Sequence, residues 1–223
     1  RLVSCGGERL VVLGGSDDGS EAVQASGEAL SLADTAAAAW ADDVASMHHP
    51  RRLFAAAVQL GGCIVVAGGW GGVGEEMLWS AEVYDPVANT WTLLPDLPEE
   101  CAAACDGWRG DDGSIYVVGF GPPLTGAHTC FALHPVDLVW RKHWQARFSR
   151  RLPFHVLDLL DSSQGHAAFA TVRGHGGCIA VGGNPHDDSA EVPVAELFDE
   201  ETGRVFQLPH STRYSRRVAV AAT

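Results

Sequence analysis

The segment Val83-Tyr84-Asp85-Pro86-Val87-Ala88-Asn89-Thr90-Trp91 returns along the chain, and that recurrence constrains the fold more than any other feature. It aligns without a gap on Ala132-Leu133-His134-Pro135-Val136-Asp137-Leu138-Val139-Trp140. It aligns again on Leu197-Phe198-Asp199-Glu200-Glu201-Thr202-Gly203-Arg204-Val205, where Leu208-Pro209 answers Leu94-Pro95. A weaker copy keeps Asp34 and Trp40 at the same separation. Ahead of each copy lies a β-branched run ending in glycine: 9–15, 63–69, 114–121 and 178–183. Ahead of that lies another short apolar run, at 52–60, 101–105 and 167–172, and a further such run stands at the very end, at 216–222. The unit therefore holds four short strands divided by turn signals and repeats about every 50 residues.

The residue types follow from the geometry such a unit needs. Asp85 can accept a bond from the backbone two residues on, Pro86 presets φ, and Asn89 tolerates a positive φ where the turn closes. The pairs Gly14-Gly15, Gly68-Gly69 and Gly182-Gly183 carry a conformational cost of about 0.5–1 kcal/mol each, offset where another backbone or a large ring comes close. Trp40, Trp91 and Trp140 are the expected rings, each able to bury on the order of 150–250 Å² against a neighbouring sheet. Tyr84 and Asp85 complete the repeated structural set. A period near 50 with a double glycine and a tryptophan is the kelch signal, one propeller blade per repeat.

The stretches PRRLFAAAVQLGGCIVVAGG (50–69) and SAEVYDPVANTWTLLPDLP (80–98), with RLVSCGGERLVVLGG (1–15) before them, resemble the kelch domain of land-plant F-box/kelch-repeat proteins. The likeness is strongest over 1–108; later, Gly119-Phe120-Gly121 replaces the double glycine and Val205 stands where a tryptophan would. It implies an all-β kelch propeller over 1–223, with repeats near 1–46, 47–97, 98–150 and 151–213. Residues 214–223 are then the first strand of a further blade or a closing strand, and the propeller is incomplete. The resemblance also implies a protein-recognition module without catalytic residues, serving as the substrate-binding part of an SCF-type ubiquitin ligase adaptor. The ligase linker subunit would be reached through an F-box that this sequence does not include. The expected site of action is the cytoplasm or nucleus.

Composition narrows the partners. Fifteen Lys and Arg stand against 28 Asp and Glu, a formal net charge of −13, which repels phosphate backbones and argues against nucleic acid. No apolar run reaches the ~20 residues that cross a bilayer, so no membrane partner is expected. The six cysteines are scattered through apolar segments, a usage that fits a reducing compartment better than a disulfide framework.

In a four-stranded blade, the loops after the second strand and after the fourth emerge on one face. That face is expected to gather His48, His49, Arg51, Arg52, Trp70, Glu75, Glu76, Arg216 and Arg217 as a partner-binding surface. Trp70 is the expected anchor, because Trp and Arg are enriched at binding hot spots. The same charges also read as ordinary solvated loops that keep the protein soluble. Gly69-Trp70-Gly71-Gly72-Val73-Gly74 matches a dinucleotide fingerprint, but a strand rather than a helix follows it, so no nucleotide cofactor is expected. The histidines are dispersed over all repeats, and no cofactor or metal is assigned. Two other readings stay open: a kelch-fold metal-dependent enzyme or specifier protein, and a kelch scaffold without a ligase link.

Overall fold

The computed structural model describes residues 1–5, 9–16, 22–33, 39–52, 54–58, 62–71, 76–98, 103–120, 128–146, 150–151, 167–172, 177–182, 184–185, 195–199 and 201–208. Among these residues the regular structure is strand, with no α-helix. Strands β1 (Leu2–Cys5), β2 (Arg9–Ser16), β3 (Val23–Ser31) and β4 (Trp40–Val44) form a first antiparallel sheet in chain order. Next come β5 (Ala55–Val58), β6 (Ile64–Ala67), the short β7 (Trp70–Gly71) and β8 (Glu76–Met77), β9 (Ala81–Asp85) and β10 (Thr90–Leu94). The second sheet runs β5-β6-β9-β10, and β7 pairs with β8 as a separate ribbon. The third sheet runs in order through β11 (Ala103–Arg109), β12 (Ile115–Phe120), β13 (His128–Leu133) and β14 (Trp140–Ala146). The chain continues with β15 (Arg150–Arg151), β16 (Ala167–Val172), β17 (Gly177–Gly182), β18 (Asn184–Pro185), β19 (Glu196–Asp199) and β20 (Arg204–Gln207). The fourth sheet runs β16-β17-β19-β20, and β15 pairs with β18. The fold class is all-β, consistent with an incomplete kelch propeller.

The chain forms two compact units, residues 1–121 with 130–142, and residues 122–129 with 143–223. In the first unit, the second sheet is covered on both faces, which is why β6 reads as an unbroken apolar run rather than an alternating one. Its period of two still sorts the side chains. Ile64, Val66 and Tyr84 join Val11, Leu13, Met47 and Phe54 in one buried cluster. Val65, Ala67 and Ala81 join Ile115, Val117, Phe131 and Leu133 in another.

The repeated tryptophan ties the second sheet to the first and the third to the second. Trp91 is buried against Tyr84, with ring centroids 5.1 Å apart, and its indole N–H donates to the Ala45 carbonyl at 2.7 Å. One repeat later, the Trp140 N–H donates to the Pro95 carbonyl at 2.8 Å. Trp40 departs from the expectation: its ring is 46% exposed. Trp91 and Trp140 each bond the sheet preceding their own, whereas Trp40 stands nearly half in solvent.

The turn expected at 85–89 forms as the residue types require. The Asp85 carboxylate accepts from the Val87 and Ala88 N–H groups at 2.8 and 3.2 Å, and Asn89 sits at φ +52°. Asn89 then reaches the first sheet: its Oδ1 accepts from the Ala45 N–H, and its Nδ2 donates to the Asp43 carbonyl, both at 2.9 Å. In the second unit, Asp199 repeats the motif by accepting from the Glu201 N–H at 3.0 Å and the Thr202 hydroxyl at 2.7 Å, with Gly203 at φ +66°. There Phe198 is buried against Trp144, with centroids 4.7 Å apart.

The double glycines admit a backbone, one of the two neighbours the sequence allowed. Gly14 and Gly69 have φ of +53° and +94°, and a Cβ on either would lie 2.4 Å from the Arg51 carbonyl or 2.6 Å from the Arg52 carbonyl, respectively. Gly182 ends β17, paired with Ala167, and Gly183 lies outside the described residues.

Candidate functional site

The segment 45–52 leaves β4 and crosses from the first sheet to the second. Its backbone is held by the first sheet: Met47 N–H donates to the Ala25 carbonyl, Arg51 N–H to the Gln24 carbonyl, and Gly15 N–H to the Arg51 carbonyl. The Arg51 side chain then turns into the second sheet. One guanidinium nitrogen donates to the Gly68 and Ser80 carbonyls at 2.8 and 3.0 Å. The other donates to the Ser80 hydroxyl at 3.0 Å and to Glu82 Oε1 at 2.7 Å. Both side chains of the Arg51–Glu82 ion pair have no solvent exposure.

Glu82 gathers more donors. Its carboxylate accepts from the His48 and His49 backbone N–H groups at 2.8 and 3.1 Å, and it contacts His48 Nδ1 at 2.8 Å. His49 Nδ1 stands 3.5 Å away. Burial pushes the carboxyl up, yet the His48 bonds and the Arg51 pair outweigh it and hold Glu82 below the ordinary glutamate range. Burial likewise lowers Arg51, with Glu82 acting against that shift.

These contacts correct the expected partner-binding face. Arg51 is fully buried and Arg52 nearly so, at 8% exposure, so neither guanidinium is offered to a partner. The physical reason is the neighbouring carboxylate. Glu82 falls at an inward position of β9, and a buried acid next to an unpaired loop would be costly without a cation drawn in beside it. Arg52 instead uses its backbone, which exchanges two bonds with Trp70 at 2.7 and 2.9 Å.

What stays accessible is the rim. The His48 and His49 side chains are roughly half exposed, Trp70 is half-buried, and Glu76 is exposed on the β7–β8 ribbon, with Trp70 opposite Met77. Glu75, Arg216 and Arg217 lie outside the described residues. Trp79 was not anticipated: its ring is 49% exposed, and its carbonyl accepts from the Leu97 N–H at 2.7 Å. In sequence it is in phase with Ala81 and Val83 and so resembles a strand position; β9 begins only at Ala81, which leaves Trp79 on the rim. Among the described residues, no three His, Cys, Asp or Glu side chains converge as metal ligands. The site has the means to bind through aromatic and polar side chains along a rim braced by a buried ion pair.

Four-stranded antiparallel sheets joined by tryptophan and glycine contacts define a kelch-repeat architecture, and residues 51–98 match the Kelch motif. The chain carries a kelch motif and is similar to plant kelch-repeat proteins. It is 34% identical to the F-box/kelch-repeat protein SKIP30 of Arabidopsis thaliana over 139 residues, covering 59% of this chain and 36% of that protein. It is also 34% identical to the Arabidopsis thaliana F-box/kelch-repeat protein At1g16250 over 116 residues, covering 51% of this chain and 29% of the relative. The chain thus spans about a third of the length of these curated relatives.

Proposed function

We propose that this chain is the recognition part of an F-box/kelch protein, binding a protein substrate and presenting it to an SCF-type ubiquitin ligase. The observation that carries this reading is the joint one: kelch repeats in the chain, and 34% identity to two proteins named for an F-box together with kelch repeats. The non-catalytic role and action in the cytoplasm or nucleus belong to the same proposal. The rim of His48, His49, Trp70, Glu76 and Trp79 is the surface offered to the substrate. Half-exposed indoles on a braced scaffold suit that task, because a rigid aromatic anchor orders few torsions on binding.

The test is capture of the ligase linker subunit by the full-length gene product, followed by ubiquitin transfer to proteins that co-purify with the kelch region. Association with the linker, lost on deletion of any F-box segment that the gene product carries, is the expected result. A full-length product that does not associate with the linker overturns the ligase role.

A further inference from the structure

Cys5 ends β1 of the first sheet, and Cys63 precedes β6 of the second, far apart in sequence. The fold brings them together. The Cys5 thiol donates to the Gly62 carbonyl at 2.8 Å, so the sulfur touches the peptide unit whose next Cα is that of Cys63. A Cβ built on Gly62 would lie 3.1 Å from the same sulfur, so no side chain stands between them at that point. Covalent geometry places the Cys63 Cα about 3 Å from that carbonyl oxygen, and rotation about the two Cα–Cβ bonds is the motion that would bring the sulfurs to disulfide geometry. Both cysteines are free thiols, Cys5 buried and Cys63 half-buried.

We propose that Cys5 and Cys63 form a dithiol modification site that takes a two-electron oxidation from a small disulfide such as glutathione disulfide, stapling the first sheet to the second. Accessibility sets the order of steps. Cys63, the more exposed thiol, loses its proton to solvent, and its thiolate attacks one sulfur of glutathione disulfide. The glutathione S–S bond breaks, one glutathione leaves and is protonated, and Cys63 carries a mixed disulfide. Cys5 then gives up its proton and attacks the Cys63 sulfur, releasing the second glutathione. The protein loses two protons and two electrons, and the oxidant takes them up as two thiols. Burial raises the Cys5 thiol, and the two sulfurs act on each other electrostatically, which fits Cys5 as the resolving partner.

The staple would fasten the first strand of one sheet to the turn between β5 and β6 of the next, closing a loop of about 60 residues in the unfolded chain. Tm should rise by about 5–10 °C on oxidation.

The chain is equilibrated with glutathione disulfide and digested without reduction by a glutamate-specific protease, which yields Arg1–Glu8 and Ala29–Glu75, each with one cysteine. The expected product is these two peptides joined, two hydrogens lighter than their sum, and no longer joined after dithiothreitol. Cys5→Ser should trap glutathione on Cys63, while Cys63→Ser should leave Cys5 unmodified. The proposal is overturned if the unaltered chain accumulates the mixed disulfide without the cross-link, if Cys5 joins a different cysteine, or if neither peptide changes mass. The cross-link is read on the unaltered chain, so it does not depend on either variant folding.

Discussion

Arg51 carries its charge to a position with no solvent exposure, and polar groups of Gly68, Ser80, His48 and His49 converge on it and on Glu82. Removing one member of such a pair leaves an uncompensated buried charge, so Arg51→Ala should lower stability by about 3–5 kcal/mol in urea unfolding. A double Arg51→Met, Glu82→Gln variant should cost less than the two single changes combined. An Arg51→Ala chain with unchanged stability would show that the pair does not form. The same carboxylate sets a pH dependence. Glu82 binds its proton more weakly folded than unfolded, so its contribution is complete above the ordinary glutamate value of 4.5 and is lost as pH falls through the lower folded value. Thermal melts from pH 6 down to pH 3 should therefore fall less steeply for Glu82→Gln, which starts from a lower Tm.

Strands and their turns put the repeated tryptophans to different uses. Trp91 fills the space between two sheets and bonds the earlier one, so Trp91→Ala should destabilise by about 3–5 kcal/mol. Trp40, half in solvent, should change stability by no more than about 0.5 kcal/mol on the same truncation. Equal losses at the two positions would contradict this arrangement. Gly69→Ala tests the glycine step. Its added Cβ meets the Arg52 carbonyl and the Phe54 Cβ, both backbone-fixed atoms, so the bond pair between Arg52 and Trp70 should open and the chain should melt lower. Calorimetry of the three variants side by side separates these effects.

At the scale of the whole chain, a formal charge of −13 should prevent association with polyphosphate. Fluorescence anisotropy with a labelled DNA duplex at low salt should show no saturable binding at micromolar protein. A salt-sensitive isotherm would mean that a local basic surface overrides the net charge.

Sequence alone determined the repeat, its four strands and the chemistry of its turns, because an Asp–Pro turn, a positive-φ Asn and a paired glycine each answer a local backbone demand. It also anticipated the burial of Trp91 against a neighbouring sheet. Tertiary structure decided which charges face water. Arg51 looks like a loop cation until Glu82, 31 residues later, draws it inward. Trp79 looks like a strand residue until β9 is seen to start after it, and Cys5 and Cys63 look unrelated until two sheets bring them to one peptide. Each of these outcomes depends on a partner distant in sequence, and local pattern carries no record of which distant group will fill the other half of a contact.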